Sequence, residues 1–257
     1  MDSKYYKQMG NVKILSMDKI LLLENLRERL ANQIKTRIFF VNAHCFNIAQ
    51  EKPDYRRQLN EAEIVLNDGI GVELGAKFFN MNLKENLNGT DFTPEVLGIA
   101  DSLHKSLYLL GGKPGVAEKA GNEILKNFPN IRIVGAADGY FQDSKHIVSE
   151  INQAKPDLLL VGLGVPLQEN WISEHIEYLD ASVIMAVGAF LDFTSGTIKR
   201  APLLIRKCRL EWAFRLFLEP KRMFKRYVFG NMLFFFHILR LAKEPEASTV
   251  FPGKIES

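Results

Sequence analysis

Short apolar runs alternate along the chain with longer segments whose apolar residues recur at helical spacing. The runs predict strands at 12–15, 37–41, 63–66, 106–110, 131–134, 157–163 and 182–187. The segments between them predict helices at 18–33, 45–60, 70–80, 92–104, 115–128, 145–154 and 167–179. Such alternation predicts an α/β fold that is Rossmann-like, with a mostly parallel sheet covered by helices on both faces.

One acidic residue follows a predicted strand. In the stretch IVLNDGIGVELGAKFF, Asp68 ends an apolar run and precedes Gly69 and a segment of helical spacing. One interpretation is a turn residue or helix N-cap, since Asp is common at both. The other is a general base, because open α/β sheets bind ligands outside the carboxyl ends of their strands. The local pattern leaves both open.

Glycines follow several other predicted strands. They occur in LLGGKPG (109–115), VGAADGYF (134–141), VGLGVPLQE (161–169) and VGAF (187–190). Glycine lets a backbone approach a phosphate or ribose closely, and a following helix N-terminus offers free N–H groups. We therefore expect this edge of the sheet to face a ligand.

A nicotinamide or ATP site agrees poorly with these glycines. Gly162 and Gly164 begin a G-x-G-x-x-G pattern, but Leu167 occupies the third glycine position and no acidic residue follows the next predicted strand about 20 residues on. The phosphate-loop pattern ending in Gly-Lys-Ser/Thr does not occur in the chain. The pattern favours a nucleotide-diphosphate ligand held by backbone and polar side chains.

Composition and cysteine content indicate a globular intracellular protein. The chain has 257 residues, of which 47% are hydrophobic and 25% charged. Cys45 and Cys208 lack metal-ligand spacing, and the first residues, MDSKYYKQMG, contain no apolar signal-peptide core. These features predict a reducing, cytoplasmic setting.

The net charge of +3 conceals one strongly basic segment. Residues 1–198 carry 20 Lys and Arg against 25 Asp and Glu, whereas residues 199–226 carry 10 against 2. Aromatic residues are interleaved with these charges, and YVFGNMLFFFHILRLA follows, a run shorter than the ~20 residues of a spanning helix. A solvated helical face is one interpretation, and a surface for phosphates or anionic lipid is the other.

Eight ordered blocks resemble the WecG/TagA/CpsF glycosyltransferases, or glycosyltransferase family 26, from about Val12 to about Phe236. The blocks are FFVNAHCFNIA (39–49), AEIVLNDGIGVEL (62–74), ENLNGTDFTP (85–94), LLGGKPGVAEKA (109–120), DGYF (138–141), PDLLLVGLGVPLQENWI (156–172), VGAFLDFTSGTIKRAP (187–202) and LEWAFRLFLEPKRMFKRYVFGN (210–231). The FVNAH motif is most similar to the GumM-like exopolysaccharide branch. The match spans nearly the whole chain.

The resemblance implies an inverting transfer of a sugar from a UDP-sugar to a polyprenyl-diphosphate-linked saccharide on the inner leaflet of a bacterial membrane. It implies Asp68 as the catalytic base, which removes the proton of the attacking hydroxyl. No D-x-D pair stands where a metal would bridge a diphosphate, so we expect no cofactor and no metal, and basic residues in that role. The candidate diphosphate or acceptor ligands are Arg200, Arg206, Arg215, Arg222, Lys225 and Arg226; their alternative role is pairing with surface acids.

The donor site predicted from this resemblance and from the strand-end glycines is polar. Asn42 and Gln168 are amides that can hydrogen-bond sugar hydroxyls, although an Asx turn and a first-turn helix position are their local alternatives. The candidate donor-binding residues are Asn42, Gly69, Asn88, Gly111, Gly112, Tyr140, Gly162, Gly164, Gln168 and Glu169. Two departures from the TagA branch, Phe40 for Thr and Asn86 for Arg, suggest a different donor sugar or binding mode.

The resulting prediction divides the chain into a catalytic α/β domain (1–198), a basic, aromatic helical appendage that covers the active site and contacts the membrane (199–240), and a flexible tail (241–257). The protein is expected in the cytoplasm, peripheral to the inner membrane, without nucleic acid as a partner; self-association into a homo-oligomer stays open. The transferred sugar is left as glucosyl, glucuronosyl or N-acetylmannosaminyl. Rival hypotheses are a Rossmann-like oxidoreductase and a non-catalytic, membrane-recruited module that binds nucleotide sugars.

Overall fold

The computed structural model describes residues 3–207 and 210–243, without the side chains of Lys207 and Arg222. Its strands are β1 (Tyr6–Met9), β2 (Val12–Leu15), β3 (Thr36–Val41), β4 (Ile64–Asn67), β5 (Ser106–Gly111), β6 (Arg132–Ala137), β7 (Leu158–Gly162) and β8 (Val183–Ala186). Short turns of 3₁₀ and π-helix occur at Ser3–Tyr5 and Lys225–Phe229.

The helices of the first 198 residues are α1 (Lys19–Ala31), α2 (Ala43–Glu51), α3 (Pro53–Glu61), α4 (Ile70–Lys77), α5 (Gly89–Ser102), α6 (Val116–Asn127), α7 (Ser144–Ala154), α8 (Leu167–His175) and α9 (Phe190–Thr194). The C-terminal helices are α10 (Leu203–Lys207), α11 (Glu211–Leu218), α12 (Pro220–Phe224) and α13 (Gly230–Lys243).

Six strands form a parallel sheet in the order β4-β3-β8-β7-β5-β6. The four central strands are buried almost throughout, as expected of parallel strands covered on both faces. One face packs against α2, α3 and α8, whose buried side chains include Phe46, Tyr55 and Trp171. The other face packs against α1, α5 and α6. The α/β fold predicted from the sequence is confirmed.

The strand predicted at 12–15 is confirmed, and it pairs antiparallel with β1 in a two-stranded sheet separate from the parallel one. One local prediction was wrong. The single helix predicted at 45–60 is two helices, because Lys52 is extended and Pro53 starts α3. Proline lacks a backbone N–H and disfavours helical geometry in the residue before it, so it breaks the helix here.

The C-terminal region is helical, as predicted, and α13 packs on α2 and α4. The rings of Phe46 and Phe234 meet edge to face at 5.3 Å, and the amide of Asn47 donates to the Gly230 carbonyl at 2.7 Å. Gly75 leaves room for Phe234, since an added Cβ would lie 2.7 Å from its ring. These contacts hold the appendage over the β3–β4 end of the sheet.

No helix within the described residues is long and apolar enough to cross a membrane. The predicted tail at 241–257 lies outside the described residues from position 244 onward, as does Cys208. Cys45 is a free cysteine buried in α2.

Candidate active site

Asp68 and Asn42 lie side by side at the carboxyl ends of adjacent strands. Val41 of β3 is in register with Asn67 of β4, and each candidate follows its strand by one residue. The backbone N–H of Asp68 donates to the Val41 carbonyl at 2.8 Å, which continues the ladder past the end of β4. The strand pairing therefore fixes the spacing of the two side chains.

Asn42 has two roles that its local sequence pattern presented as alternatives. Its Oδ1 accepts hydrogen bonds from the backbone N–H groups of His44 and Cys45, both at 3.1 Å, and so caps α2. Its Nδ2 then points to Asp68 Oδ2 at 3.5 Å. Because the cap fixes the amide, its donor side is presented to the carboxylate.

Asp68 does not cap the helix that follows it. The N-cap of α4 is Gly69, with a φ of 94°, and among the described residues this helix has no side-chain cap. The Gly69 N–H instead donates to Oδ1 of Asn86 at 2.9 Å. Asn86 occupies the position where the TagA branch has Arg. Its hydrogen bond to Gly69 stabilises the turn that follows Asp68.

The surroundings of Asp68 act on its pKa in opposite directions. Burial raises the pKa most, while the Asn42 hydrogen bond and the charges of Arg215 and Arg226 lower it. The net pKa is raised, with a smaller contribution from Glu211 in the same sense. A half-buried carboxylate with a raised pKa is a better proton acceptor than a solvated one.

Asp68 lines a cavity of about 340 Å³ that lies between the β3–β4 end of the sheet and the appendage. The sheet side of this cavity comprises Asn42, Ala43, His44, Asp68, Gly69, Ile70, Gly71, Leu74, Asn86, Asn88, Thr90 and Asp91. The appendage contributes Arg206, Glu211, Trp212, Arg215, Arg226, Tyr227, Asn231 and Phe235. The predicted base and three of the predicted arginines therefore face one space.

The predicted arginines form a network with two acids. Arg200 and Arg206 contact Asp91 Oδ1 at 2.6 and 3.4 Å, and Arg215 contacts Glu211 at 3.1 Å. The arginine contacts and the hydrogen bond from Asn88 keep the pKa of Asp91 below its usual value although burial opposes them. The acids leave one nitrogen of each guanidinium unused: the Nε atoms of Arg200, Arg206 and Arg215 are shielded from solvent and bond no other described residue. Such buried donors are costly without an acceptor.

The other predicted residues lie outside this cavity. Gly111, Gly112, Tyr140, Gly162, Gly164, Gln168 and Glu169 belong to the β5, β6 and β7 part of the same edge, and none of them lines the space around Asp68. Lys225 is exposed and does not line this cavity either. The Arg222 side chain is not among those that the structure describes.

Gln168 and Glu169 are buried in the first turn of α8. Gln168 donates to Glu169 at 2.7 Å and accepts from the Gly188 N–H at 3.0 Å, so its amide ties α8 to the turn after β8. Burial raises the pKa of Glu169 to about 7, since its hydrogen bonds compensate only in part.

Several residues that line the cavity were missed by sequence reasoning. His44, Glu211 and Asn231 are polar and face the space, and Trp212 and Tyr227 add aromatic surface to it. Asn86, which the sequence identifies as a departure from the TagA branch, also lines the cavity. Burial and the charge of Arg226 lower the pKa of His44 to about 4, which leaves its imidazole neutral. The position of His44 two residues after Asn42 was the available signal, because a helix N-terminus follows the strand there.

No cluster of three or more His, Cys, Asp or Glu that could hold a metal ion occurs within 3–207 and 210–243. The side chains at the cavity suited to anions are the three arginines, and those suited to hydroxyl groups are the amides of Asn42, Asn86, Asn88 and Asn231.

Fold and cavity together define an α/β enzyme that brings a carboxylate and a cationic cluster to the carboxyl ends of parallel strands. The chain is a glycosyltransferase: residues 8–248 match the model of the glycosyl transferase WecG/TagA/CpsF family, and the chain belongs to that family.

Named relatives are similar over most of the chain. A Bacillus subtilis protein named N-acetylglucosaminyldiphosphoundecaprenol N-acetyl-beta-D-mannosaminyltransferase is 35% identical over 182 residues, 71% of each chain. A Staphylococcus aureus protein of the same name is 32% identical over 221 residues, 83% of this chain and 87% of its own length. The family predicted from the sequence is confirmed; the placement near the GumM-like branch stays a prediction.

Proposed function

We propose that the protein transfers a sugar from a UDP-sugar to a polyprenyl-diphosphate-linked saccharide, with inversion and with Asp68 as general base. The names of the relatives favour an N-acetylmannosaminyl donor and an N-acetylglucosaminyl-diphosphate lipid as acceptor. The observation that carries the proposal is the shared cavity, in which the carboxylate of Asp68 faces three arginines of the appendage.

In the proposed step an acceptor hydroxyl attacks the anomeric carbon while the bond from that carbon to the UDP oxygen breaks. The hydroxyl proton passes to Asp68, and the bonding electrons leave with UDP. Asn42 keeps the carboxylate oriented at 3.5 Å, and Arg215 and Arg226 favour its ionised form at rest. A general base at this position contributes about 10²–10⁴-fold to the rate.

In this proposal, arginine side chains stabilise the negative charge that develops on the leaving diphosphate, so the transfer needs no metal ion. Arg206 has an Nε donor that is buried and bonds no other described residue, as does its neighbour Arg200. Diphosphate oxygens would accept from these donors in bidentate geometry. Gly164, Gln168 and the other predicted donor residues along β5–β7 stay candidates for the nucleotide.

Membrane contact is part of the proposal and is supported by the exposed apolar surface of the appendage. Phe217 is 84% exposed and Phe229 61%. Other exposed apolar residues of this segment are Leu203, Leu204, Leu210, Leu218, Phe224, Met232, Leu233, Phe236 and Leu239. Exposed apolar surface beside basic residues is typical of proteins that lie on anionic lipid.

The test is a UDP-release assay over a panel of UDP-sugars with a synthetic polyprenyl-diphosphate N-acetylglucosamine and EDTA throughout. We expect release from one donor that depends on the acceptor. Release only after added cation would contradict the metal-free mechanism. Silence from every donor, combined with UDP binding by calorimetry, would favour a binding module instead.

A vesicle assay tests the membrane contact separately. The double variant Phe217→Ser, Phe229→Ser should co-sediment less with anionic vesicles than the wild type. Ile20→Ser, which removes an equally apolar side chain that is 68% exposed on α1, is the matched control and should bind unchanged. Equal binding of all three proteins would remove the appendage as the membrane-contacting surface.

A further inference from the structure

The appendage wall of the cavity combines aromatic rings with guanidinium groups. Trp212 and Arg215 are one helical turn apart on α11, and Arg226 and Tyr227 are adjacent in the π-helical turn. The rings of Trp212 and Tyr227 meet edge to face at 6.1 Å, and the Arg226 guanidinium lies 5.9 Å from the Tyr227 ring. All four side chains line the space that Asp68 faces.

Trp212 is unusually accessible for a tryptophan. It is 40% exposed, whereas Trp171, the only other tryptophan of the chain, is 5% exposed and packs against Phe141 and His175. Removing aromatic surface from water is favourable, so an exposed indole inside a cavity is suited to a ligand with an apolar face. The C–H face of a pyranose ring provides such a surface.

The arginines beside the two rings indicate which chemical group is bonded to that sugar. Guanidinium groups bind phosphates in bidentate geometry, so guanidiniums beside an aromatic platform are suited to an anion attached directly to the ring that stacks there. A sugar diphosphate has this arrangement, with the pyranose on the rings and the phosphates on Arg215 and Arg226.

The position of the wall distinguishes the two substrates of the proposed reaction. Helix α11 continues from Trp212 and Arg215 to Phe217 and Leu218, which are 84% and 45% exposed. A lipid-linked substrate must leave the cavity toward apolar surface of this kind, whereas a soluble nucleotide sugar has no such requirement.

We propose that Trp212 and Tyr227, with Arg215 and Arg226, form the subsite for the first sugar and the diphosphate of the lipid-linked acceptor. Trp212 is the specificity-determining residue in this assignment. The inference rests on the proposed function, because it takes a lipid-linked sugar diphosphate as the acceptor.

Tryptophan fluorescence tests this subsite by binding, independently of turnover. In Trp171→Phe the only tryptophan is Trp212, and the protein is titrated separately with a short-chain N-acetylglucosaminyl-diphosphate lipid, the matching alkyl diphosphate without sugar, and UDP. We expect the sugar-containing lipid to change the emission of Trp212 and the other two ligands to change it far less. An equal response to UDP, or no response to the sugar-containing lipid, would overturn the assignment.

Steady-state kinetics provide the second readout. Trp212→Ala should raise KM for the short-chain acceptor about 10-fold, equivalent to a loss of about 1.4 kcal/mol, and leave KM for the donor nearly unchanged. Trp212→Phe keeps an aromatic face and should recover most of the loss, and Trp171→Phe is the control. A rise in donor KM alone, or no rise in either KM, would contradict the proposal.

These readouts separate the two levels of inference. If no transfer occurs with any donor, the proposed function fails, yet the emission change still reports whether the sugar diphosphate binds at Trp212. If transfer occurs and Trp212→Ala retains the wild-type acceptor KM, the proposed function stands and this subsite is wrong.

Discussion

Glycine has different roles at the two ends of the edge formed by the carboxyl ends of the parallel strands. At the β3–β4 end, a Cβ added to Gly69 would meet nothing within 4 Å, and the turn opens into the cavity beside Asp68. At the β5–β7 end, a Cβ on Gly111 would lie 2.4 Å from the Gly162 carbonyl oxygen, and Gly112 donates to the same oxygen at 3.3 Å. Glycine serves an open turn at one end and close packing of backbones at the other.

This difference teaches that glycine after a strand is an ambiguous signal for ligand binding. Packing requirements alone account for Gly111 and Gly162, where backbones meet too closely for any side chain. Gly164 is different, since it has a φ of 80° and open space around its Cα. Polar side chains, rather than glycines, distinguish the end that faces the cavity.

The largest effect on stability is expected at the packed end. Gly111→Ala places a methyl group against backbone that cannot rotate away, at a φ of 135°. We expect destabilisation of about 4 kcal/mol or more, or failure to fold, because strain and overpacking act together. Denaturant unfolding of the purified variant measures this, and a loss under 1 kcal/mol would break the comparison.

A pH-dependent effect is expected at the buried carboxyl beside the same end. Glu169 has its pKa raised to about 7 from 4.5, so the folded protein holds a proton that the unfolded chain releases between these values. The stabilisation is complete below pH 4.5 and is lost as the pH rises to 7. Glu169→Gln should remove this loss of about 3 kcal/mol.

The measurement is the free energy of unfolding of wild type and Glu169→Gln at several pH values. Glu174→Gln, on the exposed side of the same helix, is the matched control and should keep the wild-type dependence. Parallel curves for wild type and Glu169→Gln would show that the buried carboxyl does not titrate in this range.

The next effect concerns the cavity end and is kinetic. Arg215→Ala removes a charge that lowers the pKa of Asp68 and a guanidinium available to diphosphate. We expect kcat/KM to fall about 10²-fold, and the acidic limb of its pH profile to move to higher pH, because the base protonates more easily.

Lys221→Ala removes an exposed charge of the same segment and serves as the control, with rate and profile unchanged. An unmoved acidic limb in Arg215→Ala would mean that the arginine and the carboxylate do not interact in the working enzyme.

The smallest expected effect tests whether Gly164 belongs to the donor site. Gly164→Ala should cost about 1 kcal/mol in stability from its positive φ and raise KM for the UDP-sugar if its open turn faces the nucleotide. Gly196→Ala is the matched comparison, since Gly196 has a φ of 73° and equally open surroundings and is not one of the predicted donor-binding residues. The same donor KM in both variants would remove Gly164 from the donor site.

Much of the fold could be predicted because the parallel strands are continuous apolar runs bounded by turn residues. The first strand, YKQM, could not, because its pattern is polar and it forms only by pairing with β2. The break at Pro53 had a local signal that the helical spacing of the flanking residues masked.

Part of the site could be predicted from the sequence, because the carboxyl ends of parallel strands converge at one edge of the sheet. Asp68 and Asn42 follow adjacent strands, and the basic segment supplied Arg206, Arg215 and Arg226. Phe40, a departure from the TagA branch, turns into the core against Phe92 at 6.3 Å, away from the cavity. Asn231 could not be placed, since its proximity to Asp68 depends on how the appendage docks.

The most direct test of the account is the single-turnover rate of sugar transfer by Asp68→Asn, measured beside its affinity for UDP. Asparagine preserves the size and hydrogen bonds of the side chain but cannot accept the proton. The account predicts a rate about 10³-fold below wild type with UDP affinity nearly intact. A variant that retains most of the wild-type rate would contradict the assignment of Asp68 as the base.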